Sequence, residues 1–449
     1  MTAFWCEHAW LPSGGRSGVR VVSDAQGRIA AIEDSARPEP ADTVLEGVTF
    51  PGFANTHSHL FHRFLRGRTH SEGGTFWTWR NQMYQLAGGI TPESYQTMAR
   101  AVFAEMLHAG YTAVGEFHYL HHRPDGTRYP GHEMELAVVR AAAATGIRLT
   151  LLDTCYLTGG IGQPLTAEQA RFGDGDAERW LNRWFALRDA VAAESGSDDG
   201  AIRLGAAIHS VRAVPEDQLR VIARELPADV PLHIHLSEQP AENEQCLAAY
   251  GVTPTQLLDR VGLLDRAITA VHATHLTVGD IELLGRSGAA ISICPSTEAD
   301  LADGIGPARE LSDAGAAITL GSDQNAVIDP LLEARGLEAG ERLRSGQRGR
   351  FRPEEIARAM TASGYSSIGW DGGTLTRGAL CDLTTVRLDS ARTIGSSAGQ
   401  VMLTATAADV SAVIVAGKVR STGAGDARAV EQLLTAAISP DRRGKVHAE

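Results

Sequence analysis

Four segments far apart in the chain end in residues that together could hold one metal ion. Thr56-His57-Ser58-His59 follows a short β-prone run, and His235, His272 and Asp323 each stand at the end of a later strand-like segment. Residues i and i+2 of a strand project to the same face, so His57 and His59 can aim two imidazoles at one point. Adding His235 and Asp323 gives three imidazoles and one carboxylate, a donor set that suits Zn²⁺. Taken singly, each has a plainer reading: polar capping for the pair, a hydrogen-bonded core histidine for His235, an Asx turn for Asp323. The metal reading rests on their combination. Its chemistry is hydrolysis, because a bound divalent ion makes water nucleophilic near neutral pH.

The residues around this set extend the chemistry. Glu238 lies three residues beyond His235, where a carboxylate can take a proton from water and hand it to a leaving nitrogen. A solvated loop acid is the alternative. His272 fits a group that orients water or polarises the substrate, since four ligands are already assigned; His275 reads as structural. Barrels that bind two metals commonly bridge them with a carbamylated lysine ending the fourth strand. Here that strand ends Ala207-Ile208-His209-Ser210, and the only lysines are Lys418 and Lys445, so a single ion follows. Arg212, and Arg80 in the aromatic segment Phe76-Trp77-Thr78-Trp79-Arg80 read as a loop, could pair with substrate carboxylates as readily as with surface acids. His118-Tyr119-Leu120-His121-His122 could form a second metal patch. Tyr119 as a substrate hydrogen-bond donor is the more economical reading.

These residues need a scaffold that collects strand ends. Strands are expected over Val48–Phe53, Thr112–Phe117, Arg148–Leu152, Ile202–Ile208, Leu232–Leu236, Ile268–His272, Ala289–Cys294 and Ala317–Ser322, with helices such as Pro92–Ala109 and Ala177–Ala193 between them. Eight strand–helix units indicate an α/β fold, a (β/α)8 TIM-like barrel, whose active sites form at the C-terminal strand ends. That is where His57, His59, Glu116, His118, His209, His235, His272 and Asp323 fall. Short antiparallel strands at both termini, such as Val19–Val22, Ile29–Ile32, Gly378–Val386 and Val410–Val419, point to a small β-sandwich domain built from both ends, followed by a terminal helix and tail after about Ala424. The expected divisions are 1–49 and 376–449 for this domain and 50–375 for the barrel.

Composition narrows the partners. A formal net charge of -13 and no basic patch disfavour nucleic acid and membrane surfaces, both polyanionic. Five cysteines scattered without a C-x-x-C pair indicate neither a disulfide framework nor a thiolate zinc site, which fits a reducing cytoplasm. No leader and no membrane-spanning run is evident. A small-molecule substrate bearing carboxylates remains.

Seven segments carry a resemblance: Pro51-Gly52-Phe53-Ala54-Asn55-Thr56-His57-Ser58-His59, Phe76-Trp77-Thr78-Trp79-Arg80, Glu116-Phe117-His118-Tyr119, His209-Ser210-Val211-Arg212, His235-Leu236-Ser237-Glu238-Gln239, Cys294-Pro295-Ser296-Thr297-Glu298 and Gly321-Ser322-Asp323. In them the whole chain resembles the amidohydrolase superfamily, and within it the formimidoylglutamate deiminases of histidine degradation. The resemblance implies one Zn²⁺ per subunit on His57, His59, His235 and Asp323, with Glu238, His272 and Asp323 catalytic, and a homodimer. It implies hydrolysis of N-formimino-L-glutamate to N-formyl-L-glutamate and ammonia, with Arg80, Tyr119, His209 and Arg212 holding the carboxylates. The chain departs from the family pattern at His62, where a substrate-contacting Gln is expected and the imidazole would serve the same donor role, and at Gln324-Asn325, where Ser-His often follows the aspartate. The rivals are an aminohydrolase of a heterocyclic base such as guanine, or of another amidine, and a metal-free barrel used for binding or assembly. Paired arginines weigh against a flat neutral base, and an intact ligand set against a metal-free role.

Overall fold

The computed structural model describes residues 1–69, 76–195 and 200–438, excluding the side chains of 76–78. Among the described residues there are fifteen strands. The chain opens with β1 (Thr2–Leu11), β2 (Gly14–Ser23), β3 (Ile29–Glu33) and β4 (Thr43–Pro51). Then come β5 (Phe53–Ser58), β6 (Tyr111–His118), β7 (Arg148–Cys155), β8 (Ile202–Ile208), β9 (Leu232–Leu236), β10 (Ile268–His272), β11 (Ala290–Ile293) and β12 (Ala317–Leu320). Last are β13 (Leu383–Val386), β14 (Val410–Val415) and β15 (Lys418–Ser421).

β5 to β12 pair in chain order and in parallel, with helices in the connections, which is the expected barrel. Every residue of β6 and β7 is buried, as strands must be when one face lines the barrel and the other carries helices. The helix Pro92–Ala109 has the expected bounds because its ends are written locally. Thr91 and Ser94 form a capping box, and Gly110 takes the left-handed conformation (φ 113°) that stops the helix. A parallel bridge between Ser58 and Asp323 brings the end of the barrel back to its beginning. Its hydrogen bonds run from Asp323 N to His57 O (2.9 Å) and from His59 N to Asp323 O (2.8 Å). The backbone that closes the ring therefore belongs to three of the four predicted metal ligands.

The two termini build the second sheet, in the order β15-β14-β13-β4-β1-β2-β3. Its seven strands form one hydrogen-bonded sheet, and the β1–β4 pair is parallel where antiparallel neighbours were expected. The run Val48–Phe53 also divides differently. Val48–Pro51 completes β4 in this sheet and Phe53 begins β5 in the barrel. The segment starting at Phe76, expected as a loop, is a helix (Phe76–Gly88); the side chains of Phe76, Trp77 and Thr78 lie outside the described set. The expected terminal helix is Ala427–Ala437, and the tail beyond residue 438 lies outside the described residues.

A buried ion pair ties the two sheets. Arg148 at the start of β7 donates through Nη2 to Asp382 Oδ1 at 3.0 Å, both side chains being at most 1% exposed. Asp382 also accepts from Tyr365 Oη and from the backbone N–H of Ala416, each at 2.8 Å. Asp382→Ala would leave the guanidinium buried without its counter-charge, at a cost of about 3–5 kcal/mol. Denaturant unfolding should show that loss.

Candidate active site

The four predicted ligands converge at the C-terminal mouth of the barrel. His57 Nε2 lies 3.1 Å from His235 Nε2, and both His57 Nε2 and His59 Nε2 lie 3.4 Å from Asp323 Oδ1. Their outer nitrogens explain the aim: His59 Nδ1 donates to Phe117 O at 3.0 Å and His235 Nδ1 donates to His209 O at 2.9 Å. Each ring is thereby held in the tautomer whose Nε2 lone pair points inward. Burial, then the neighbouring His57, pushes His59 down to about 3. Burial likewise holds His57 and His235 well below the usual imidazole range, with further lowering from neighbouring histidines. Three neutral imidazoles and a carboxylate facing one point can hold a divalent cation.

The backbone here is shaped to bring them in. Ser237, His272 and Asp323 all have left-handed φ (49°, 67° and 44°), a conformation that costs a non-glycine residue about 1–3 kcal/mol and clusters at functional sites. Gly321 must be glycine, since a β-carbon there would come within 2.8 Å of His57 Cβ and 2.9 Å of Cys294 Sγ.

Glu238 is 8% exposed and is no solvated loop acid. Its Oε2 accepts from Arg212 Nη2 at 3.2 Å and its Oε1 lies 4.0 Å from His272 Nε2. His272 Nε2 in turn lies 3.7 Å from Asp323 Oδ2, and its Nδ1 faces Glu298 Oε1 at 3.4 Å. Burial alone would lower the pKa of His272, but the bond to Glu298 and the charges of Glu238 and Asp323 outweigh it and raise the group to about 10. The ring donates through Nδ1 to Glu298 and faces Glu238 and Asp323 with Nε2. Arg212 is no surface ion pair either: it sits between Glu238 and the buried Glu242, whose Oε2 is 3.5 Å from Nε.

A cavity of about 770 Å³ opens over this cluster and is lined by His59, His62, Arg80, Tyr119, His209, Arg212, His235, Glu238, His272 and Asp323, among others. His62 Nε2 and Tyr119 Oη are 2.8 Å apart, which fixes both side chains at one wall. Arg80, on the helix Phe76–Gly88, reaches the cavity with its Nε bonded to Tyr84 Oη at 2.7 Å. His209 packs against Tyr156, with ring centroids 4.3 Å apart.

His118 and His121 turn away from the cavity. They face Glu135, and Arg183 already supplies the positive charge there, donating to Glu135 (3.2 Å) and Asp153 (2.8 Å). Tyr119 is the member of that segment that lines the cavity. The departure at Gln324-Asn325 divides likewise. Gln324 lines the cavity, whereas Asn325 is fully buried and donates to Ser58 Oγ and His59 O, both at 3.0 Å, stitching the barrel seam.

Several residues around the site were not singled out by sequence reasoning as binding or catalytic: Glu298, Glu242, Tyr84, Tyr156 and Gln169. Glu298 and Glu242 stand in the first turns of helices, where an acid reads as a response to the helix dipole. Tyr156 had a usable signal. β7 runs on to Cys155 rather than ending at Leu152, which puts Tyr156 at a strand end on the barrel mouth.

Residues 48–420 match the model of the amidohydrolase family. Over 395 residues the chain is 38% identical to the formimidoylglutamate deiminase of Pseudomonas aeruginosa, covering 85% of each protein. It is 29% identical over 377 residues to a 5-methylthioadenosine/S-adenosylhomocysteine deaminase of Natronomonas pharaonis, covering 82% of this chain and 80% of the relative. Its fold superposes on the crystal structure of an amidohydrolase from Brucella melitensis with a TM-score of 0.88 at 32% identity, over 98% of this chain and 100% of that one. The chain belongs to the amidohydrolase family.

Proposed function

We propose that this protein hydrolyses N-formimino-L-glutamate to N-formyl-L-glutamate and ammonia, as a step of histidine degradation in the cytoplasm. One observation carries the reading: two guanidiniums, Arg80 and Arg212, line the same cavity as the His/Asp cluster and Glu238. A dicarboxylate amidine has a use for both, and the deiminase relative supports the choice.

His57, His59, His235 and Asp323 would hold one Zn²⁺ per subunit, and the inward Nε2 lone pairs of His59 and His235 fit that role. When bound, the ion supplies the Lewis acidity that makes water nucleophilic near neutral pH. Arg80, Arg212, Tyr119, His209 and His62 hold the glutamate portion and so fix the formimino carbon in place. Glu238 accepts a proton as water adds to that carbon and delivers it to the terminal amidine nitrogen; the hydroxyl proton of the tetrahedral adduct follows to the same nitrogen by way of Glu238, the C=O bond forms as the C–N bond breaks, and ammonia leaves. His272, with Nε2 4.0 Å from Glu238 and 3.7 Å from Asp323, faces both carboxylates and meets charge that develops on the attacking oxygen. The working assembly is a homodimer, which sedimentation would check.

The deciding experiment is ammonia release from N-formimino-L-glutamate, with guanine, 5-methylthioadenosine and N-formyl-L-glutamate as comparison compounds. Turnover of a base and none of the amidine would replace the substrate. Arg212→Met should raise KM for formiminoglutamate about 30-fold or more, the cost of truncating one partner of a buried charge pair. A base deaminase would lose little.

A further inference from the structure

We propose that Tyr156 donates its phenolic hydrogen to a carboxylate of the substrate, and that Gln169 is the positioning residue that sets the direction of that bond. This deepens the dicarboxylate reading above and rests on it.

Gln169 is fully buried, and its Oε1 accepts from the backbone N–H of Thr166 at 2.9 Å. A backbone N–H only donates, so the amide can lie one way round. Its NH₂ then faces the hydroxyl oxygens of Tyr84 and Tyr156, both at 2.9 Å. Tyr84 Oη accepts a second hydrogen from Arg80 Nε at 2.7 Å, which occupies both of its lone pairs. Tyr156 can therefore give its hydrogen neither to Gln169 nor to Tyr84. Each bond in the chain of Arg80, Gln169, Tyr84 and Tyr156 runs toward the tyrosines, and the Tyr156 hydrogen is left over at the end.

That hydrogen belongs to a ring that lines the cavity and is only 5% exposed. Among the described residues the hydroxyl near enough to compete for it is that of Tyr84, whose oxygen already accepts twice. Burial raises the phenol's pKa, even though the nearby charges of Arg80 and Arg212 lower it, so the group stays a donor. An acceptor drawn to a spot within reach of both guanidiniums is an anion, and a carboxylate fits. If the ring served packing alone, a phenylalanine would fill the space; the hydroxyl instead sets a donor at the cavity wall, where a ligand oxygen can meet it.

Tyr156→Phe tests this by removing one oxygen. KM for N-formimino-L-glutamate should rise about 10- to 100-fold, the range for a lost hydrogen bond to a charged group, with kcat little changed. Gln169→Glu keeps the acceptor for Thr166 and turns an acceptor toward both tyrosines, drawing their hydrogens out of the cavity. It should raise KM in the same direction although Tyr156 is intact. Thermal unfolding of both variants separates loss of binding from loss of fold.

Calorimetric titration gives a readout that packing would not move. N-formyl-L-glutamate and its two monoamides, N-formyl-L-glutamine and N-formyl-L-isoglutamine, are the probes. Tyr156→Phe should weaken the diacid and one monoamide and spare the other, the one lacking the contacted carboxylate. An equal effect on all three, or none on any, overturns the proposal. That pattern in Tyr156→Phe, together with wild-type protein that releases no ammonia from formiminoglutamate, would overturn the substrate reading and leave Tyr156 in its role. Turnover unaltered by Tyr156→Phe would overturn Tyr156 alone.

Discussion

Dialysis against a strong chelator should take ammonia release to background, and one equivalent of Zn²⁺ per subunit should restore it. Metal analysis before and after gives the stoichiometry, and His59→Ala should mimic the dialysed protein. The physical basis is the inward aim of two histidines whose outer nitrogens are committed to backbone carbonyls, beside a third whose Nε2 lies 3.1 Å from that of His235. Neutral imidazoles packed this closely gain more from a shared cation than from one another. Binding to the folded state alone also stabilises it, so the thermal midpoint should fall when the ion is removed. Protein that kept its activity and midpoint through chelation would end the metal reading.

Glu238→Gln should lower kcat about 10²- to 10⁴-fold, the range for a positioned general acid–base group, while leaving bound metal in place. The substitution keeps shape and an oxygen for Arg212 to donate to, but an amide does not accept a proton and return it. KM should change much less than kcat, since the guanidiniums that hold the carboxylates remain. A variant with near wild-type kcat would move the proton relay to another group.

Much of this architecture was legible before any coordinates, because strand ends and ligands coincide. Residues such as Ile202–Ile208, Leu232–Leu236 and Ile268–His272 are short, largely apolar runs with the chemically capable residue within one position of the strand end, and their bounds match the structure. What local pattern could not carry was partnership. Val48–Phe53 reads as one strand, but Pro51-Gly52 divides it between two sheets, and a β-carbon at Gly52 would meet Thr112 Oγ1 at 2.2 Å. The parallel β1–β4 pair depends on a connection that swings across, which hydropathy does not record. Ending β7 three residues early hid Tyr156. Glu242 lines the cavity and Gln169 stands behind its tyrosines only because the chain folds back on Arg212 and on Tyr84, and nothing in their sequence neighbours says so.

The seam of the barrel has a use beyond closure. Peptide groups of His57, His59 and Asp323 zip the last strand to the first, while Arg80, Tyr84 and Tyr156 reach the cavity from segments on other parts of the rim. An engineer could regraft those rim segments to admit a different amidine without touching the hydrolytic centre. Any change that pried the seam apart would forfeit ring and reaction together.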